Sequence, residues 1–433
     1  MENILAQAMK VADEAEVFMV STAETPVQFE ANRLKQIQSK QSTSIVLRII
    51  RDGKIGYATT TELNGSQGLV DNAVETAQFG MTARFELPPP GSYPLIKVFD
   101  PEIESVSTVE MIRLGEELIA TVRAHTPDVV CEAGATRTII SVRIINSRGG
   151  QVDYKKSIFS LGIEGTLIRG TDMLFVGESE SSCHPLRETR DIVNSVIRQL
   201  ELAQNQASVS TQQLPVIFTP EGIASALISP LMVAFNGKTV LQGASPIGNR
   251  LGQPVFDEKL CLWDDPTLDY RPHSRPSDDE GITSQRTPLI EQGNVAHFLY
   301  DLQTAALAKT KSTGNGSRSH GGLPAPSPSA FIIAPGNTSF DDMVSDVKEG
   351  LVVEQLMGAE QGNILGGDFS GNVLLGYKVT NGTIVGRVKN TMVSGNIYQL
   401  LKQITAIGSD AKWVGGSLNT PSLYFSSVSV ASK

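Results

Sequence analysis

The chain has 433 residues, 40% of them hydrophobic and 19% charged, a balance that belongs to folding globular proteins and excludes an intrinsically disordered chain. Lys and Arg total 36 against 46 Asp and Glu, a net charge of −10, and no cluster of cations offsets it, so nucleic acid is not an expected partner. At a typical size of about 150 residues per domain the length exceeds one ordinary core, and two domains are expected.

The N-terminus, MENILAQAMKVADEAEVF, carries acids among its apolar residues and lacks the uninterrupted apolar core of a signal peptide. Ile4, Leu5, Ala8, Val11 and Ala12 recur at helical spacing, and Glu16 to Ser21 reads as a strand. Val27 to Leu34 and Thr43 to Leu63 follow as strands, the second folded at an Asp52-Gly53 hairpin turn. Ser66 to Gly80 returns to helical period before a break at Pro88-Pro89-Pro90-Gly91. The same order then repeats. Ser107-x-x-Glu110 caps a helix whose face carries Met111, Leu114, Leu118 and Val122, strand-like sequence runs from Val129 to Phe175, and Ile192, Val196, Leu200 and Ala203 form a closing helix. Residues 1–210 therefore read as an α+β domain with two similar helix-strands-helix halves.

Gln204 to Gln213 is polar and suits a linker. From Leu214 onward short apolar runs such as Pro215–Phe218, Ala330–Ile333, Val373–Tyr377 and Leu423–Val430 alternate with Gly, Asn and Ser turns. Residues 211–433 are thus expected to form a mostly β domain with a few helices. Gly321–Pro328, with five Gly or Pro in eight positions, is expected as an exposed loop. No apolar run approaches the roughly 20 residues that cross a bilayer, the run Ile45 to Ile50 being broken by Arg48. Cys131, Cys183 and Cys261 are odd in number and far apart, which points to reduced thiols in a cytoplasm. No membrane partner is expected.

A helical zinc-peptidase motif needs two histidines a few residues apart with a glutamate beside them. The five histidines, His125, His184, His273, His297 and His320, are all more than twenty residues from one another in sequence. A site assembled from distant histidines with Asp278, Asp279 or Glu280 remains an alternative. Gly237-Lys238-Thr239 has Met232 where a phosphate-binding loop requires glycine, Gly314-Asn315-Gly316 meets Ser319 where a third dinucleotide-type glycine would stand, and no serine-hydrolase elbow is present. Cys183 and His184 adjoin, but neighbours in an extended chain point apart. Ser277-Asp-Asp-Glu-Gly281 is the densest acidic cluster; it could bind a cation or cap backbone amides.

Several segments together resemble the TldD/PmbA family: Arg51-Asp-Gly53 and Gly56-Tyr-Ala-Thr59, then Pro220-Glu-Gly222, Gly243-Ala-Ser245, Asp278–Gly281, Leu289–Gly293, Ser312–Asn315, Gly350–Val353 with Leu356-Met-Gly358, and Gly367–Ser370. Each is weak alone; their collinear order over nearly the whole chain is specific. The resemblance implies a two-part peptidase in which TldD carries a His-Glu-x-x-x-His zinc motif and TldE, also called PmbA, pairs with it. Where that motif is expected, in a helix from Pro220 to about Ala234, this chain reads EGIASALISPLMVA and offers no imidazole. The resemblance therefore implies the TldE/PmbA branch: no catalytic residue or metal in this chain, zinc in a TldD-like partner, and unfolded peptide as substrate. It further implies an enclosed chamber, for which Asp279, Glu280, Arg286, Thr313 and Asn315 are the candidate peptide contacts, and a homodimer when the partner is missing. The alternatives are an autonomous metallopeptidase, sensitive to loss of His273 or Glu280, and a non-enzymatic modulator of DNA gyrase.

Overall fold

The computed structural model describes residues 1–62, 66–319 and 322–432. Leu63 at the end of an expected strand, His320, and Gly321 at the start of the Pro-rich segment lie outside them.

The N-terminal half runs α1 (Glu2–Ala8), β1 (Glu14–Glu30), β2 (Arg33–Ile37), β3 (Lys40–Arg51), β4 (Lys54–Thr60), α2 (Ser66–Ala77), α3 (Thr108–His125), β5 (Val130–Asn146), β6 (Gln151–Arg169), β7 (Asp172–Ser182) and α4 (Arg190–Leu202). Its strands form an antiparallel sheet in the order β4-β3-β1-β5-β6-β7, with β2 folded back on β1. The two expected halves are visible as meanders β1-β3-β4 and β5-β6-β7 joined at the long β1–β5 pairing. Chain propensities account for the joints: Asp52 and Gly53 both take positive φ (51° and 70°), the conformation a two-residue hairpin needs. Ser107 accepts the amide of Glu110 at 3.1 Å and starts α3 as its sequence announces. The strand expected over Val27–Leu34 is instead the end of β1 and the start of β2, because Ala31 and Asn32 turn the chain at positive φ.

The C-terminal half continues with β8 (Gln206–Ala207), β9 (Gln212–Phe218), α5 (Pro220–Ala226), α6 (Ile228–Ala234), α7 (Gly237–Leu241), β10 (Leu262–Asp264), β11 (Thr287–Glu291), β12 (Asn294–Val295), α8 (Leu302–Leu307), β13 (Gly316–Ser317), β14 (Ala325–Pro326) and β15 (Phe331–Ile333). Then come α9 (Phe340–Asp346), β16 (Glu349–Met357), β17 (Asp368–Thr380), β18 (Thr383–Val388), β19 (Thr391–Asn396), α10 (Ile397–Leu400), β20 (Ala406–Ile407), β21 (Lys412–Val414), β22 (Leu418–Thr420) and β23 (Leu423–Ser432). Strands β16, β9, β23, β19 and β17 pair in a closed ring, since β16 pairs with both β9 and β17. A second sheet, β12-β11-β10-β15-β22-β21, packs beside it. Alternation along β16 sets the layers: Leu351 and Val353 enter the C-terminal core, while Val352 turns the other way into a cluster with Leu118, Phe159, Val196 and Tyr377. The two halves thus share one apolar seam.

Two expectations are corrected. The polar stretch 204–213 is in part ordered strand, with β8 pairing beside β18 at the sheet edge. The described part of the Pro-rich segment, Gly322–Pro328, is partly buried rather than exposed. Proline lacks a donor but keeps its carbonyl, and Pro326 O accepts Asn236 Nδ2 at 2.7 Å while β14 pairs with β13.

Candidate functional site

Pro220 opens α5, capped by Thr219, whose hydroxyl accepts the Gly222 amide at 3.3 Å. The single helix expected to Ala234 is two, broken at Leu227, because Pro230 has no N–H for the carbonyl of Ala226. Gly222 lets α5 lie directly on β16: a Cβ there would stand 2.3 Å from Val353 O. So placed, α5 forms one wall of a cleft of about 1090 Å³ whose floor is the sheet face of β5, β6 and β7.

The floor follows from period-two alternation. Phe159, Leu161 and Ile163 point to the helices, which leaves Ser160, Gly162 and Glu164 on the cleft side, paired across β7 with Ser181, Ser179 and Gly177. On β5, Glu132, Gly134 and Thr136 continue the same face. Glu132 stands directly opposite Glu164 in the ladder, a like-charge pairing that costs stability. Lys412 of β21 bridges two acids of the lining: its ammonium lies 2.7 Å from Glu178 on β7 and contacts Glu221 on α5. Burial would weaken the Lys412 charge, but Glu221 and Glu178 outweigh it and hold its pKa above the ordinary value. Nearby Glu354 is pushed up to about 8 by burial, with Glu221 adding to the effect.

The five residues expected as peptide contacts lie elsewhere, and the structure does not gather them into one surface. Glu280, 1% exposed, accepts Arg48 Nη1 at 2.6 Å and the amide of Leu302 at 2.7 Å. Asp279 accepts the Arg318 amide at 2.8 Å and Arg275 Nη1 at 3.4 Å. Asn315, also 1% exposed, donates to Asp264 at 2.6 Å. Thr313 bonds Tyr300, and Arg286 stacks 4.0 Å over Trp263. Glu280 and Asn315 therefore present no surface to a chain in this conformation. The acidic cluster caps amides: Asp278 accepts from Glu280, Ile282 and Gly316 at 2.8–3.0 Å.

These groups join the halves. Arg48 reaches Glu280 and, at 3.0 Å, Glu16, whose other oxygen meets Arg318. Burial works against the Arg48 charge, yet Glu16 and Glu280 outweigh it and hold the guanidinium protonated. Burial pushes Glu280 up to about 8, against Arg48, with the Asp278 charge adding to the rise. Burial likewise pushes Asp264 and Asp278 up to about 6, against their hydrogen bonds. Composition and motif spacing did not single out Glu16, Arg318, Glu178, Glu221 or Lys412. Arg48 carried a usable signal, a lone charge inside the apolar run Ile45–Ile50, which marks a buried partner.

The four described histidines sit apart. His125 bonds Thr126, His184 bonds Asp100 at 2.6 Å, His297 bonds Pro288 O, and burial holds His273 down at about 4. Cys183 is buried, its thiol pushed up to about 11, while His184 turns outward. Among the described residues no group of three or more His, Cys, Asp or Glu converges as metal ligands. Among the described residues neither imidazole nor thiol lines the cleft, and Glu221 faces an ammonium. The described residues around α5 do not fit a zinc ion.

Fold and cleft together define a two-domain α+β protein with a groove beside a short capped helix. Residues 211–432 match the family model described as the PmbA/TldA metallopeptidase C-terminal domain, and residues 15–77 match PmbA/TldA metallopeptidase domain 1. The chain belongs to the TldD/PmbA metallopeptidase family. It is 28% identical to an uncharacterized protein of Methanocaldococcus jannaschii over 98% of each chain, and 24% identical to metalloprotease PmbA of Escherichia coli O157:H7 over 95% of this chain and 91% of that one. The crystal structure of TldE from Thermococcus kodakarensis superposes with a TM-score of 0.91 at 23% identity, covering 100% of this chain and 99% of that one. At that identity the likeness establishes the shared fold. Among the described residues no helix is long and apolar enough to cross a membrane.

Proposed function

We propose that the chain is the TldE/PmbA-type subunit of a two-chain peptidase, supplying a peptide-binding groove while a TldD-like partner supplies the zinc. The carrying observation is the cleft: α5, the element where the family resemblance places the zinc motif, presents Glu221, Ala224 and Ser225 to it and no imidazole. At about 1090 Å³ the cleft lies just above the range of small-molecule pockets, roughly 300–1,000 Å³. Its floor of Gly, Ser and Thr lets an extended chain lie close to the sheet with little selection by side-chain size. Hydroxyls of Thr136 and Ser179 are placed to hydrogen-bond that chain, and Glu132 and Glu164 favour basic side chains over acidic ones. Residues 1–210 and 211–433 act in this reading as the two domains that enclose the groove. Asp279, Glu280, Arg286, Thr313 and Asn315 contribute by fixing loops of the C-terminal half and, through Arg48, its contact with the N-terminal half.

The test is reconstitution. The purified chain should carry no stoichiometric zinc by elemental analysis and leave an unfolded peptide intact. Mixed with a TldD-like chain it should raise cleavage above that of the partner alone. Chelator-sensitive cleavage by this chain alone would overturn the proposal.

A further inference from the structure

Tyr154 and Lys156 stand two apart on β6 and so face the same way, toward the C-terminal half. There they meet the 272–279 loop and the segment after β14 around a cavity of about 220 Å³, whose lining includes Tyr154, Lys156, His273, Arg275, Asp279 and Ser329. Lys156 is 9% exposed and gives one ammonium hydrogen to Pro272 O at 2.9 Å, leaving two more to donate. Ser329 is 7% exposed and, among the described residues, its hydroxyl has no partner and Arg275 Nε is likewise unpaired. Buried donors of this kind are stabilised only by an acceptor.

The charge facing the cavity is positive. Among the described residues that line it, Lys156 and Arg275 stand against Asp279 alone, with His273 held neutral by burial. The neighbouring acids are turned away: Asp278 accepts three amides, and Asp264 accepts Asn315 Nδ2 and the amides of Ser329 and Ala330. We propose that this cavity between the halves binds a small oxyanion, a carboxylate or phosphate, held by Lys156, Arg275 and Ser329. Burial, then the Arg275 charge, weakens the Lys156 ammonium to about 8, and an anion among these groups restores it. Because Lys156 belongs to the N-terminal sheet and Arg275 and Ser329 to the C-terminal half, the ligand bridges the two. The proposal stands apart from the cleft and from any peptidase activity.

The experiment is calorimetric titration and thermal melting of the full chain with sodium phosphate, sodium acetate, and a short peptide with a free or an amidated C-terminus, against sodium chloride at matched ionic strength. Phosphate or a carboxylate should bind and raise the melting temperature above the chloride control. Lys156→Gln, removing a charge-assisted bond, should weaken binding roughly 10- to 100-fold. Ser329→Ala, which leaves every charge in place, should weaken it several-fold and decides the matter if Lys156→Gln fails to fold. Binding of the free but not the amidated peptide identifies a chain terminus as the source; binding of phosphate without acetate identifies free phosphate. No binding beyond chloride, or equal affinity in the variants that fold, overturns the site.

Discussion

Replacing Arg48 with methionine tests whether the buried ion network holds the two halves together. Arg48 is 3% exposed and is shared by Glu16 at 3.0 Å and Glu280 at 2.6 Å. Methionine keeps much of the side-chain volume and removes both bonds, leaving Glu280 buried with no cation of its own while Glu16 retains Arg318. Removing one partner of a buried pair costs about 3–5 kcal/mol, and the retained Arg318 contact places the expectation at the lower end, about 3 kcal/mol. Urea denaturation at pH 9, above the value of about 8 to which burial pushes Glu280, followed by far-UV circular dichroism reads this as a lower midpoint at unchanged slope. Because the network is shielded from solvent ions, the loss should be nearly the same in 1 M salt. Glu280→Gln should be less harmful in the Arg48→Met background than in the parent, with a coupling of about 1 kcal/mol or more. A loss below about 1 kcal/mol, or additivity within about 0.5 kcal/mol, would refute the assignment of Arg48 and Glu280 as one unit.

Stability should fall as pH rises from 5.5 to 7.5. Glu280 and Glu354 sit at about 8 when folded and Asp264 and Asp278 at about 6, all above their unfolded values. Between these pH values the folded state holds the Glu280 and Glu354 protons that the unfolded chain releases, giving a slope of about 1.4 kcal/mol per pH unit for each of those two groups, while Asp264 and Asp278 add to the fall only up to about pH 6; a higher urea midpoint at pH 7.5 contradicts this, and Glu354→Gln should flatten the profile. Gly222→Ala brings a Cβ to 2.3 Å from Val353 O and should destabilise by about 1–3 kcal/mol in thermal melts, with cleavage by the reconstituted complex falling as α5 tilts. Thr136→Trp places a ring over the cleft floor and should cut cleavage by the complex at least about tenfold, roughly 1.4 kcal/mol of binding, while the melting temperature stays within a few degrees. Glu132→Gln with Glu164→Gln should raise KM for a lysine-containing peptide about two- to fivefold per charge and leave an uncharged peptide unaffected.

The residues that local rules govern were legible in the sequence. Ser107 capped α3, Asp52-Gly53 turned the β3–β4 hairpin, and Met111, Leu114 and Leu118 marked the buried face of α3. Local propensity could not show that Gln206–Ala207 would find an edge beside Arg387 and Val388, nor that Pro326 would be packed by Asn236. Those outcomes depend on partners 90 or more residues away. The placement of Glu280 failed for the same reason. An acid beside a glycine turn looks like a surface group until a guanidinium 232 positions away in sequence accounts for its burial.

The cleft was missed for a different reason, and the reason bears on what it does. Its floor is made by the residues that apolar patterning passes over, the small and polar positions Ser160, Gly162, Thr136 and Ser179 that alternate with the core side chains. No single one carries chemistry, so no motif flags them; together they form a smooth, hydroxylated strip. Among the described residues the charges lining the cleft are its acids and Lys35, with Lys35 paired to Glu30, while Lys412 outside the lining is spent on Glu178 and Glu221. A surface of this composition holds a polymer by its repeating backbone better than it polarises a bond. The division of labour in the proposed function follows from that composition, with binding on this chain and bond cleavage on a partner.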